Sequence, residues 1–309
     1  MMSTFLVTGG TGRQGGSALR EILKAGAKVH ALVRNPDSDA AEGIARLGAT
    51  LFKGDSADAA SVTKALEGVD GVFFNPPYPG EDTLEVTQNF IKACAQQSSV
   101  KTFVLSSTSG TEKHVEKIQT DPTYPGRQKK FMGYWNLKAG TEDAARMAGF
   151  QNLVILRASL LHHIYLPPDS RALFPTLWTE KKLVTALKPD TKVPHLLAED
   201  VGKFAAVALL DPSKFNSKEL NLAAENLTAE DVTSIIGAVA GRSFEAVVPD
   251  FNGIEAIGLE YPLAGYHEWC NEVDAAVDVA ALKEYGIELT IMRQFLEAHQ
   301  ADVLEALDT

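Results

Sequence analysis

The chain has 309 residues, of which 45% are apolar and 22% charged, and a formal net charge of −11. That length buries a large core and fits one large domain or a domain with a smaller lobe, and the composition excludes an extended disordered tail. So acidic a surface repels a phosphate backbone, which excludes nucleic-acid binding through a general basic face and leaves room only for a local basic pocket around a single phosphate.

In chain order, short apolar runs at 4–8, 28–33, 50–53, 71–75, 102–106 and 153–157 alternate with stretches of helical period. Near-continuous apolar runs suit strands buried on both faces, and their alternation with helices predicts βαβ units around a parallel sheet. The first helix is expected from near Gly12, with Gly15, Ala18, Leu19, Ile22, Leu23 and Gly26 on one face. After about Ala158 the alternation loosens, interrupted by Pro167, Pro168, Pro175, Pro189 and Pro194. The expectation is a doubly wound α/β fold: residues 1–157 form a nucleotide-binding domain and 158–309 mainly a smaller α/β substrate lobe with some segments returning to the sheet. Within the lobe, 196–210 begins a helix near Glu199-Asp200, 220–240 carries a capping pattern at Thr228 and Asp231, and a last helix spans 290–307.

Two cysteines without metal-type spacing, Cys94 and Cys270, support neither a disulfide framework nor a structural zinc. Cys94 reads as a small buried apolar residue. No basic leader opens the chain and no run of about 18 apolar residues occurs, so a cytoplasmic location without a membrane span is expected and the sequon at Asn226 is accidental.

Between the first strand and first helix stand Gly9, Gly12 and Gly15. This context points to a dinucleotide phosphate loop: Gly9 for the tight turn, Gly12 for close approach of the pyrophosphate, Gly15 for helix packing, and free N–H groups facing the anion. Thr11, Arg13 and Gln14 lie within the loop as further cofactor-contacting candidates. About 20 residues on, where an NAD site usually carries an acid, stands Arg34, whose fork suits a 2′-phosphate and predicts NADP(H). Asp55, followed by Ser56, either meets the adenine amino group or caps the helix that begins near Asp58. Asn75 and Pro76 end the fourth strand at the crevice edge.

The fifth strand ends in Ser106, Ser107 and Thr108, and the next helix carries Tyr134 and Lys138 on one face. An ammonium beside a phenol promotes proton transfer to a carbonyl oxygen, and a hydroxyl from Ser107 or Thr108 completes the hydrogen bonds to it. Ser106 and Lys138 are expected to touch the cofactor and Tyr134 to donate the proton. No metal role is expected at His162-His163 because adjacent histidines diverge and no carboxylate completes a set. The polar stretch 111–130, with Arg127, Lys129 and Lys130, is read as a solvated loop, a crevice lid being the alternative. Phe251, Tyr261, Tyr266 and Trp269 suit either an aromatic substrate pocket or ordinary core.

The stretch VTGGTGRQGGSALREILKAGAKVHALVRNP, the KGD at 53–55 and LTAEDVTSIIGAVAGR resemble the NmrA-like family of atypical short-chain dehydrogenase/reductase proteins. The resemblance implies a Rossmann domain with a smaller C-terminal lobe, NADP(H) held through Gly9, Gly12, Gly15 and Arg34, and a functional lysine at Lys138. Some members are dinucleotide sensors that control a protein partner and lack the active-site tyrosine; others resemble quinone or isoflavone reductases. Tyr134 departs from the sensor pattern. The expectation is an NADPH-dependent reductase of a small aromatic or quinone-like carbonyl or enone compound, with a redox sensor as the alternative. A nucleotide-sugar enzyme is disfavoured by Arg34.

Overall fold

A computed structural model describes residues 2–77, 80, 83–124, 132–215, 217–249 and 263–308. The apolar runs form strands β1 (Thr4–Thr8), β2 (Lys28–Val33), β3 (Thr50–Lys53), β4 (Gly71–Phe74), β5 (Thr102–Thr108) and β6 (Asn152–Ala158). Helices α1 (Arg13–Lys24), α2 (Asp39–Arg46), α3 (Ala59–Ala65), α4 (Thr83–Ala95), α5 (Thr111–Thr120) and α6 (Met132–Met147) connect them. With β10 (Glu219–Leu222) the strands build one parallel seven-stranded sheet in the order β10-β6-β5-β4-β1-β2-β3. The order reverses between β1 and β4, so a crevice opens beyond their carboxyl ends.

Apolar residues cover both faces of this sheet, as the runs require. Val7, Val29, Ala31 and Phe73 pack with Leu19 and Ile22 of α1 and Phe204 of α7 (Ala198–Leu210), while Leu6, Val72, Phe74 and Leu105 pack with Val62 of α3 and Phe90 and Ile91 of α4. A separate core joins other elements: the small sheet of β7 (Leu160–Leu161), β9 (Val193–Leu196) and β11 (Glu225–Leu227), the pair β8 (Lys182–Val184) and β12 (Glu245–Val247), and helices α8 (Ala229–Ala240), α9 (Ala264–Glu272), α10 (Met292–Ala298) and α11 (Gln300–Leu307). Thr228 starts α8 as the pattern predicts, its hydroxyl accepting from Asp231 N at 3.1 Å while the Asp231 carboxylate accepts from Thr228 N at 2.9 Å.

Three elements differ from the sequence reading. Stretch 111–130 is not a solvated loop at its start, because Thr111–Thr120 is helical with Thr111 and His114 buried. His114 bonds the Tyr124 hydroxyl at 2.9 Å and Asn136 Oδ1 at 3.2 Å, so its polarity is satisfied inside the protein, and hydropathy alone misses it. Arg127, Lys129 and Lys130 lie outside the described residues. The fifth strand runs on to Thr108, since Ser107 and Thr108 still pair with Arg157 and Ala158. The final helix breaks at His299.

Three imidazoles are sealed in the second core: His162, His195 and His267 have relative exposures of 0%, 1% and 3%. His195 donates from Nδ1 to the Val193 carbonyl at 2.8 Å, so its Nε2 accepts from the Tyr165 hydroxyl at 2.9 Å. Burial disfavours the cation and lowers the three pKa values to about 3, 4 and 3 respectively. The unfolded chain titrates near 6.5, so the stabilisation from keeping these rings neutral is fully present above that pH and is lost as pH falls toward the folded values. Each ring contributes a slope of about 1.4 kcal/mol per pH unit in that window. Urea unfolding should therefore give equal stability at about pH 7.5 and 7, and a loss of several kcal/mol by about pH 5. His267→Gln should flatten the slope by one proton, and a wild-type profile level down to about pH 5 would contradict this account.

Candidate active site

β1 runs into the glycine loop, where Gly9 takes φ +63° and its carbonyl accepts from Gly12 N at 2.9 Å. A left-handed φ favours glycine there. Gly15 is required for a different reason: a methyl group on it would lie 2.3 Å from the Gly9 carbonyl oxygen and 2.6 Å from that of Thr8. The loop thus folds directly over the first turn of α1. Gly12 is the N-cap, without a side-chain cap bond or an acid in the first turn, so the helix presents its N–H groups and positive dipole end to the crevice. This is a cradle that fits a pyrophosphate. Thr11 and Arg13 are exposed beside it. Gln14 is tied to β5 through its Oε1, which accepts from the Ser106 hydroxyl at 2.7 Å. Asn75 N donates to the Thr8 hydroxyl at 2.9 Å, joining the ends of β4 and β1, and Asn75 packs against Gly9 with Pro76 half-buried beside it.

At the other end of the crevice Arg34 is exposed just past β2. The parallel register sets Val33 beside Lys53, which adds a second exposed cation on the neighbouring strand. Sequence spacing did not single out Lys53, because only the pairing of β2 with β3 brings it to this edge. Asp55 does not cap α3: its carboxylate accepts from Ala57 N at 3.0 Å, whereas Asp58 caps the helix through Ala60 N at 3.1 Å. Asp55 is exposed and Ser56 half-buried, at the edge where an adenine would lie.

The Tyr134 hydroxyl on α6 lies 2.6 Å from Thr108 Oγ1 at the end of β5, and Lys138 Nζ stands 5.5 Å from the centre of the Tyr134 ring. The four-residue spacing stacks the two side chains as expected. Ser107 goes elsewhere. Its hydroxyl is buried and donates to Glu142 Oε1 at 2.6 Å, so the hydroxyl that meets the phenol is that of Thr108.

His162 and His163 diverge as expected. His162 turns inward, 3.8 Å from Glu225 Oε1, while His163 lies 3.9 Å from Asp169 with Nδ1 buried and, among the described residues, without a hydrogen-bond partner. Burial and, less strongly, the charge of Arg13 lower the His163 pKa to about 4 against the opposing pull of Asp169. Among the described residues no three His, Cys, Asp or Glu side chains are grouped to hold a metal, and no helix is long and apolar enough to cross a membrane. Tyr266 and Trp269 belong to the core, and the Trp269 indole presses on Gly110 so closely that a methyl group there would meet it at 2.2 Å. Phe251 and Tyr261 lie outside the described residues. Cys94 is buried, and that burial pushes its thiol pKa up, as suits an inert core residue.

A model of the NmrA-like family matches residues 1–300. The chain belongs to the NmrA-like family. Among its NmrA-like relatives, a family oxidoreductase of Aspergillus hancockii is 29% identical over 262 residues, covering 78% of this chain and 74% of that one. The fold is shared with an NADPH-dependent quinone oxidoreductase of Escherichia coli complexed with NADPH, at a TM-score of 0.76 and 20% identity over 96% of this chain and 99% of that one. It is shared also with NmrA, a negative transcriptional regulator in complex with NAD, at a TM-score of 0.73 and 19% identity over 100% of this chain and 98% of that one.

The contact at Gly15 gives a direct test of the cradle. Gly15→Ala should cost about 1–3 kcal/mol of stability in urea unfolding because the loop must open to admit the methyl group. Gly43→Ala, in the middle of α2 with none of the described residues within 4 Å of the added carbon, should be neutral or stabilising by up to about 1 kcal/mol. Equal effects at the two positions would refute the close approach.

Proposed function

We propose that the protein is an NADPH-dependent reductase of a small carbonyl or enone compound of aromatic or quinone-like type, the nucleotide being held by residues 1–157 and the substrate mainly by the lobe 158–309. The observation that carries this is the Tyr134 hydroxyl, 2.6 Å from Thr108 Oγ1 and under the Lys138 ammonium, at the carboxyl edge of a sheet whose glycine loop suits a pyrophosphate. The oxidoreductase named among the relatives and the quinone reductase among the structural neighbours support the same reading. The likeness to NmrA, a negative transcriptional regulator, favours a regulatory role instead, but binding a nucleotide does not require a phenol, a hydroxyl and an ammonium brought together beside it.

The exposed Arg34 would grip a 2′-phosphate as a bidentate fork, with the first-turn N–H groups of α1 on the pyrophosphate. Held there, NADPH would supply the hydride for the substrate carbon. Tyr134 gives the Oη proton to the substrate oxygen, Thr108 Oγ1 keeps the phenol aimed, and the Lys138 charge stabilises the phenolate that remains.

Screening NADPH oxidation against quinones, aromatic aldehydes and enones should identify a substrate. On it, Tyr134→Phe should lower kcat by about 10²–10⁴-fold. Full turnover by Tyr134→Phe and Lys138→Ala would exclude the mechanism. In a separate binding titration, Arg34→Ala should weaken NADPH by about tenfold or more while leaving NADH unchanged, since only NADPH carries the phosphate. An equal loss for both nucleotides would remove Arg34 from the site.

A further inference from the structure

Tyr134, Lys138 and Glu142 follow one another at four-residue intervals and share one face of α6. The third of them is the best anchored. Glu142, with a side chain 1% exposed, accepts on Oε1 from the Ser107 hydroxyl at 2.6 Å and from Arg157 Nε at 2.9 Å, and on Oε2 from Arg157 Nη2 at 2.7 Å and from Arg146 Nη2 at 2.9 Å. Arg157 is itself buried at 4% exposure on β6; burial opposes its charge, and Glu142, with Glu112 and Glu219, outweighs this and raises its pKa. Ser107 and Thr108 are consecutive on β5, one holding Glu142 and the other meeting Tyr134. Strand end and helix are therefore fastened at two points, two helical turns apart.

We propose that Glu142 is a positioning residue: by clamping α6 to β5 and β6 it sets the place at which the Tyr134 hydroxyl meets Thr108. Stability alone does not account for such a site, because a buried ion pair is often matched or bettered by apolar residues of the same volume, whereas its fixed geometry does specify one placement of the helix. A phenol displaced by about 1 Å from its productive position can lose about 10²-fold in rate. Neutralising Glu142 strands no charge, since Arg157 keeps Glu219 and Glu112 and Arg146 keeps Glu219 and Asp143.

The inference rests on the reductase reading of Tyr134, so Tyr134→Phe runs beside it in the same NADPH-oxidation assay, at a temperature where circular dichroism shows each variant folded. Glu142→Gln should lower kcat by about tenfold or more. Glu142→Asp, which restores the charge with a shorter reach, should recover part of the loss, and Ser107→Ala, which leaves the ion pair intact and carries the test if Glu142→Gln does not fold, should lower kcat by less. If Glu142→Gln and Ser107→Ala lower only the thermal midpoint and keep wild-type kcat while Tyr134→Phe is inactive, Glu142 is a stability residue and the inference is wrong. If Tyr134→Phe keeps wild-type turnover, the reductase reading fails and the positioning role falls with it.

Discussion

Everything at the nucleotide end depends on two helices meeting backbone to backbone. A methyl group on Gly202 of α7 would lie 2.5 Å from Ala18 N and from the Gln14 carbonyl oxygen of α1, so the helices approach as closely as main chains allow. The Ser17 hydroxyl donates to the Glu199 carbonyl at 2.7 Å across the same seam. Asp200, buried in the first turn of α7, accepts from Thr290 N at 2.7 Å and from Lys203 at 2.6 Å, which ties the seam to the C-terminal segment. The result is a first helix held at close range by α7, with its N–H groups aimed at the crevice and Gly15 wedged beneath the loop. A site already ordered before its ligand arrives avoids the entropy of ordering on binding.

How much of this was legible in the sequence follows from the range of the interactions. The glycine loop, the first six strands and the Thr228 cap are local: each is specified by residues within a few positions, and each appears where expected. Gly202 is the opposite case. Within Ala-Glu-Asp-Val-Gly-Lys it reads as a weak point in a helix, because the backbone it must admit comes from the other end of the chain. The same holds for Ser107, whose partner Glu142 is on another element, and for Lys53, placed beside β2 only by register. The seventh strand of the sheet, β10, carries Glu219, which stays exposed while it pairs with Arg146, and half-buried Asn221, which donates to Glu112.

Electrostatics show the same separation of scale. The chain carries a net charge of −11, yet Arg13, Arg34, Lys53 and Lys138 stand at the carboxyl ends of the strands or on the elements that follow them. Net charge governs what the whole surface attracts, while a crevice is governed by the few charges that face it. An acidic protein can therefore offer a phosphate-binding groove without a general affinity for nucleic acid.

The most direct test of the central claim is a crystal structure with NADP⁺ and a substrate analogue bound. The account predicts the pyrophosphate on the first-turn N–H groups of α1, the 2′-phosphate on Arg34, and the Tyr134 hydroxyl within about 3.2 Å of the analogue's carbonyl oxygen. A nucleotide seated there with the Tyr134 hydroxyl still closed on Thr108 and out of reach of the analogue would contradict reduction, and a 2′-phosphate away from Arg34 would contradict the assignment of the cofactor.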